Sequence, residues 1–375
     1  MNSLKEKGSN SWNDIYKYSD YAMLVATVVL FLFGVLAIHS ASYVESNPLP
    51  VSTFAVKQLV WGGVSSVFYI VILKIGYERF MEYTAPLFAL TVLLFILLLI
   101  MGHTSKGAQS WFNLGFIRFQ PSEPGKVVFA MALALLAVKF PPTSFKNMLP
   151  LCMCAGFLIL LILLQPDLGS CHVYMCMTYV VLIVAGAPAR ILWGIIGAGV
   201  AALPVFWLVL KPYQKLRLLV FINPAIDPQG AGYNVIQSRI AVGSGGLFGK
   251  GFLQGTQGRL HFLPEPHTDF IFSVFSEEFG FIGSTAVLIL FFILLSRMIS
   301  TAFYTKDMKA KIFVSAITAW IWFQIFESVA MSMGLAPVTG LPLPLFSYGG
   351  SSLLAVAAAL AMVQSVAVAE RKKRF

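Results

Sequence analysis

Apolar residues run along this chain in blocks rather than in narrow stripes. Ten runs are continuous enough to span a bilayer: 21–43, 57–76, 81–102, 124–140, 147–164, 171–188, 191–210, 270–296, 312–334 and 350–369. A spanning helix needs about 20 such residues, with a short limit near 17. The pattern predicts an all-α polytopic membrane protein with ten transmembrane helices. The runs 147–164 and 171–188 are separated only by "QPDLGS", where Pro166 and Gly169 break the helix and Asp167 is placed to cap the next one. One large piece, 211–269, lies outside the runs, between the seventh and eighth, and is rich in Asn-Pro, Asp-Pro and Gly turn signals. The organisation expected is a single membrane domain, 1–375, with a polar N-terminal segment 1–20 and a basic tail 370–375. The first run is long enough to remain as an anchor.

Composition agrees and narrows the class. The 375 residues are 58% hydrophobic and 11% charged, against about 25% charged in a soluble domain. The formal charge of +10 does not point to nucleic acid, because the basic residues gather at the ends of runs. With the N-terminus inside, most Lys and Arg fall on one side, including Lys5, Lys7, Lys17, Lys74, Arg79, Arg297 and the "ERKKRF" tail. The short loops 44–56 and 335–349 carry no Lys or Arg. The positive-inside rule then places both termini in the cytoplasm and the loops 103–126 and 211–269 outside. Cys152, Cys154, Cys171 and Cys176 all lie in apolar segments and read as small core residues.

Against this apolar background a few polar residues stand out. "FLPEPHTDFIFSVFSEEFGFIG" (262–283) opens a membrane run yet holds Asp269, Glu277 and Glu278. An Asp at the bilayer centre costs roughly 2.5–3.5 kcal/mol. A helix starting near Asp269 would align Ser273, Ser276, Gly280 and Gly283 in one small, polar stripe, so the acids should face protein or a wet cavity. Glu277 and Glu278 read first as structural groups, pairing a buried base or capping a broken neighbour. Asp269 sits at the surface after Pro264 and Pro266, where it can cap the helix, meet a charged substrate, or both. Arg118, Lys126, Arg217, Arg239 and Lys250 are expected at or beyond the outer surface. Together with an outward carboxylate they suggest an anionic lipid such as a diphosphate. "GSGGLFGKG" around Lys250 resembles a phosphate cradle loosely and is not a Walker motif. "GLPLPLFSYGGSS" (340–352) reads as a broken or re-entrant element.

Four segments carry a resemblance over nearly the whole chain: "FQPSEPGK" (119–126), "QPDLGS" (165–170), the stretch from "NPAIDPQGAGYN" to "HTDFIFSVFSEEFG" (223–280), and "PVTGLPLPLFSYGGSS" (337–352). In this order they resemble the shape, elongation, division and sporulation (SEDS) family of peptidoglycan glycosyltransferases. "DPQGAGYN" and "GKGFLQGTQGRLHFLPE" lean towards its elongation branch, RodA, over its division branch, FtsW. The resemblance implies ten membrane helices and polymerisation of lipid II into glycan strands at the outer face. It makes the Asp of "HTDF", here Asp269, the essential carboxylate. It places Arg118 and Lys126 on either side of "QPSE", whose acid is Glu123, and matches Lys57 to a basic position at the start of the second helix. Two positions depart from the family: Ser110 stands where many members have Arg before the Trp, and Ser328, beside Glu327, where an Asn is common.

The chemistry implied is an inverting transfer, with Asp269 as base and Arg118, Lys126, Arg217 or Arg239 at the diphosphate. A divalent cation could share that load, but no ligand cluster demands one. Expected partners are lipid II, the nascent glycan-lipid, membrane lipids, a class B penicillin-binding protein as transpeptidase and other wall-elongation proteins, in a bacterial cytoplasmic membrane. A division-branch polymerase, a lipid II transporter and a non-catalytic scaffold are the alternatives.

Overall fold

A computed structural model describes residues 10–43, 51–105, 108–113, 115, 118–259 and 262–374. Lys5 and Lys7, used above for orientation, and most of the loop 44–56 lie outside the described residues. The chain begins with α1 (Trp12–Tyr18), α2 (Tyr21–Ala41), α3 (Thr53–Ile75), α4 (Tyr77–Glu82) and α5 (Thr84–Met101). A small antiparallel sheet follows, β1 (His103–Ser105), β2 (Ala108–Asn113) and β3 (Arg118–Phe119). Then come α6 (Ser122–Lys139), α7 (Phe145–Leu164), α8 (Leu168–Val184) and α9 (Ala189–Val209). The large loop folds as α10 (Pro212–Ile222), α11 (Ala231–Ser244) and α12 (Thr256–Arg259). The chain closes with α13 (Ile271–Tyr304), α14 (Met308–Ser332) and α15 (Gly350–Lys372).

Each of the ten predicted runs folds as a helix. Among the described residues, eight helices can cross a membrane by length and composition: α2, α3, α5, α7, α9, α13, α14 and α15. The other two differ for plain reasons. α6 carries Glu123, Lys126 and Lys139 within 18 residues, and α8 has 17 residues. The sheet in the 103–119 loop is an addition to the all-α expectation. α14 and α15 form the centre, each with 78% of its most apolar window buried. α3, α6, α8 and α13 pack against them, and α2 packs on α13 and α3. α9 contributes no buried residue and lies at the rim.

α13 is not one continuous helix. Gly280, inside it, has φ +65 and ψ −163, a conformation open to glycine and strained for other residues. The glycine-rich segment 245–251 inserts at this break. The amides of Lys250 and Gly251 donate to the carbonyls of Glu277 and Glu278 (both 3.0 Å), and those of Phe281 and Ile282 donate to Gly246 and Leu247 (2.9 and 3.1 Å). The inserted segment thus satisfies backbone groups that the interrupted helix leaves open. A Cβ on Gly280 would stand 2.3 Å from the Gly249 nitrogen.

The termini meet at one end of the bundle. Asp20 caps α2 by accepting from the Met23 amide (3.2 Å) and also accepts from Arg297 (2.7 Å) and Arg371 (2.6 Å). Lys372 reaches Asp14 at 2.8 Å, and the Asn10 amide donates to the Leu73 carbonyl at 2.8 Å. The sheet and the large loop lie at the other end of the helices.

Candidate active site

The segment 262–270 enters α13 as a run of turns held by its neighbours. Prolines at 264 and 266 deny it amides. The Thr268 carbonyl accepts from the Ser347 hydroxyl at 2.7 Å, and the His267 carbonyl accepts from the Tyr348 amide at 3.0 Å. The His267 ring stacks on Phe54 of α3, with centroids 4.2 Å apart. The loop 333–349 is pinned in turn to α3, where Gln58 donates to the Ser347 carbonyl at 3.3 Å. The "PLPLFSYGG" segment therefore folds as a structured wall against the Asp269 turn, which explains its paired prolines and hydroxyls.

The cap position of α13 is Phe270, one residue after Asp269, and its side chain makes no capping hydrogen bond. Asp269 lines a cavity of about 320 Å³. Around that cavity stand Arg217 and Val220 of α10, Asn234 of α11, Glu265, and Val338 of the 333–349 loop. Arg217 donates to the Val338 carbonyl at 3.1 Å, so the arginine is steered by the same loop that borders the acid. Gly340, two residues on, has φ +77, and a Cβ there would stand 3.6 Å from an Asp269 carboxylate oxygen. The cavity thus joins a carboxylate and a guanidinium from segments about fifty residues apart in sequence.

The remaining predicted residues are placed differently. Arg118 is exposed on β3, with its carbonyl accepting from Ser351 at 3.2 Å. Burial pushes the Tyr348 hydroxyl above its ordinary pKa, and the nearby Arg118 charge pulls it back. Arg118 therefore stands beside the loop that walls the cavity. Lys57 is exposed on the outer turns of α3 and is not among the cavity residues. Lys126, expected at the outer surface, is fully buried and bonds Glu123 at 2.6 Å. The two sit three positions apart on α6, so one helical turn brings them together, and the Trp320 ring lies 5.1 Å from the ammonium. Arg239 is a latch: it donates to the Gly334 carbonyl at 2.8 Å and closes the end of α14.

Glu277 pairs a base as the structural reading expected, though that base, Lys250, is 30% exposed, whereas Glu278 bonds a hydroxyl rather than a base. Glu277 is wholly buried and accepts from Lys250 (2.6 Å), the Thr256 hydroxyl and amide (both 2.9 Å) and the Gln257 amide (3.1 Å). Glu278 accepts from Ser40 of α2. The loose phosphate-cradle pattern around Lys250 is a docking device: its amides and ammonium face α13. Two polar cavity residues escaped the sequence reading, Asn234 and Glu265. Asn234 lies within a quoted motif but has no charge to draw notice. Glu265 was legible only as the residue between two prolines. Among the described residues, no group of three or more His, Cys, Asp or Glu comes together to hold a metal ion.

Comparison with known proteins fits this geometry. Residues 21–372 match the family described as cell cycle protein, FtsW/RodA/SpoVE. The chain is 35% identical to peptidoglycan glycosyltransferase MrdB of Escherichia coli K12 over 365 residues, 95% of this chain and 94% of the relative. It is 32% identical to peptidoglycan glycosyltransferase RodA of Treponema pallidum, covering 92% and 97%. Among solved structures, a chain from work on structural coordination of polymerization and crosslinking by a peptidoglycan synthase complex superposes with a TM-score of 0.81. That pair is 29% identical over 94% of this chain and 99% of the other. The crystal structure of the Thermus thermophilus rod shape determining protein RodA superposes with a TM-score of 0.70 at 29% identity, covering 94% and 97%. The chain is therefore a member of the FtsW/RodA/SpoVE family of polytopic membrane proteins.

Proposed function

We propose that this chain, a peptidoglycan glycosyltransferase as its relatives are, polymerises lipid II at the outer face of the cytoplasmic membrane with Asp269 as base. The observation that carries this is the cavity that Asp269 and Arg217 share, at the end of the bundle away from the termini. In the reaction, the 4-hydroxyl oxygen of lipid II attacks the anomeric carbon of the growing glycan from the face opposite its lipid diphosphate. The new C–O bond forms as the bond to the diphosphate breaks. The hydroxyl proton passes to the Asp269 carboxylate, the configuration inverts, and the diphosphate leaves with the bonding pair. A positioned base contributes about 10²–10⁴-fold. Arg217 stabilises the charge on the departing diphosphate, and Arg118, beside Tyr348, extends the cationic edge.

The ten-helix topology with both termini in the cytoplasm belongs to the same proposal. The shared end of the termini carries Arg297, Arg371 and Lys372, as the positive-inside rule requires. Similarity to MrdB and RodA supports the elongation role. Similarity to a chain of a complex that couples polymerization and crosslinking supports a class B penicillin-binding protein as partner. The test is glycan-strand formation from lipid II by the purified chain, alone and with its partner. Strands formed by the native chain and absent with Asp269→Asn support the assignment. Lipid movement lost while polymerisation persists in that variant would make this a transporter.

A further inference from the structure

The cavity holds a second carboxylate that the reaction above does not use. Glu265 lines it together with Asp269, Asn234 and Arg217. Its backbone lies in the left-handed region, φ +51, where a residue with a Cβ is disfavoured by roughly 1–2 kcal/mol. The local turn explains how it stays there. Pro266 disfavours the right-handed helical region for residue 265 but by itself favours extended backbone; the turn is closed by the Glu265 carbonyl, which accepts from the Thr268 amide at 3.2 Å and hydroxyl at 3.4 Å, and that hydroxyl also lies 3.5 Å from the Glu265 carboxylate. Glycine or asparagine would suit that backbone better. The chain instead carries a carboxylate there, at the edge of the cavity.

Charge decides what this carboxylate can face. The leaving diphosphate is an anion, and a wall bearing Glu265 and Asp269 repels it. Arg217, on α10, is the group that attracts it. The 264–270 wall therefore suits an uncharged part of the reactants, the acceptor saccharide with its hydroxyl and acetamido N–H donors, and Asn234 adds an amide on the α11 side. Resting on the function proposed above, we propose that Glu265 binds the acceptor sugar, accepting hydrogen bonds from its hydroxyl or N–H groups so that the 4-hydroxyl meets Asp269. Glu265 binds and orients, and Asp269 takes the proton.

Two variants separate the carboxylate from the backbone. Glu265→Gln keeps the side-chain shape and removes the charge, and Glu265→Gly suits the left-handed backbone and removes the side chain. Steady-state polymerisation is measured against lipid II concentration, with thermal unfolding of each purified variant. Both variants are expected to unfold like the native chain and to raise KM about tenfold, the effect of one hydrogen bond to a charged group. Turnover at saturation stays within a few-fold. Unchanged KM in Glu265→Gly, or a loss of kcat at unchanged KM in Glu265→Gln, overturns the proposal. Asp269→Asn, run in parallel, separates the two ideas. If it polymerises normally, the base assignment fails, whereas a KM effect confined to the Glu265 variants still places the sugar on this wall.

Discussion

The two ends of the helix bundle both carry acids and arginines, arranged to opposite effect. At the end with the termini, Asp20 receives two guanidiniums and a backbone amide and ties α2 to α13 and α15. At the other end, Asp269 and Arg217 line one cavity, with Arg217 held by a backbone carbonyl of the wall. Charges closed on each other fasten helices. Charges brought to a common hollow by distant segments of one large loop are placed for a ligand. The sharpest way to break the contrast is Asp269→Asn. It should cut polymerisation of lipid II by about 10²–10⁴-fold and leave thermal unfolding unchanged. A variant that loses stability in step with activity would move Asp269 to the fastening group.

Lys126 tests the boundary from the other side. It is paired with Glu123 in the core, although the sequence suggested a substrate contact. Removing one partner of a buried pair costs about 3–5 kcal/mol, because the other is left charged and alone. Lys126→Ala should therefore lower the unfolding temperature and the yield of folded protein. Lys126→Met combined with Glu123→Gln should recover part of that loss. A well-folded Lys126→Ala protein with no polymerisation would instead assign Lys126 to the cavity's chemistry.

Gly280 sharpens the comparison at the outer end, where backbone takes the fastening role that ion pairs play at the termini. Gly280→Ala places a Cβ against the Gly249 nitrogen and requires a left-handed alanine. With φ +65 and ψ −163 the conformation is one almost only glycine adopts and alone costs roughly 1–3 kcal/mol, and the clash adds to it. The expected result is a lower unfolding temperature with faster proteolysis of the 245–251 segment. An unchanged protein would mean that the break in α13 does not hold that segment.

Much of this was legible in the sequence because membrane helices announce themselves by length. The ten apolar runs each became a helix, and Asp167 caps α8 as "QPDLGS" suggested, accepting from the Ser170 amide at 3.0 Å. The acids of 262–283 were visible as costly, and the distinction between Glu277 and Asp269 followed from depth alone. What stayed hidden depends on partners far away in the chain. Gly280 reads locally as a packing glycine, and the segment that breaks the helix there lies thirty residues earlier. Arg239 reads as a surface charge until Gly334, 95 residues on, supplies its acceptor. The 103–119 strands are two to six residues long, too short for alternation to show. The Glu123–Lys126 spacing is that of a helical pair, but its closure in the core depends on packing from other helices.

The smallest expected effect lies at the termini and depends on pH. Burial would raise the Asp20 carboxyl, but Arg297, the Met23 amide and Arg371 outweigh it and hold its pKa below the ordinary 3.8. A carboxylate with a depressed folded pKa contributes stability above the unfolded value, and the contribution fades as pH falls through the folded one. The Asp20 clasp should therefore be fully present at neutral pH and weaken only below about pH 4. Arg297 and Arg371 remain about one-third exposed, with side-chain accessibilities of 37% and 33%. Solvent and salt screen the pairs, and each is worth no more than about 1 kcal/mol. Arg297→Met should lower the unfolding temperature by a few degrees at neutral pH, less in high salt, and flatten the decline below about pH 4. Polymerisation at neutral pH should be unaffected, because no residue of this clasp reaches the Asp269 cavity. A loss of activity without a loss of stability would show that the two ends communicate through α13.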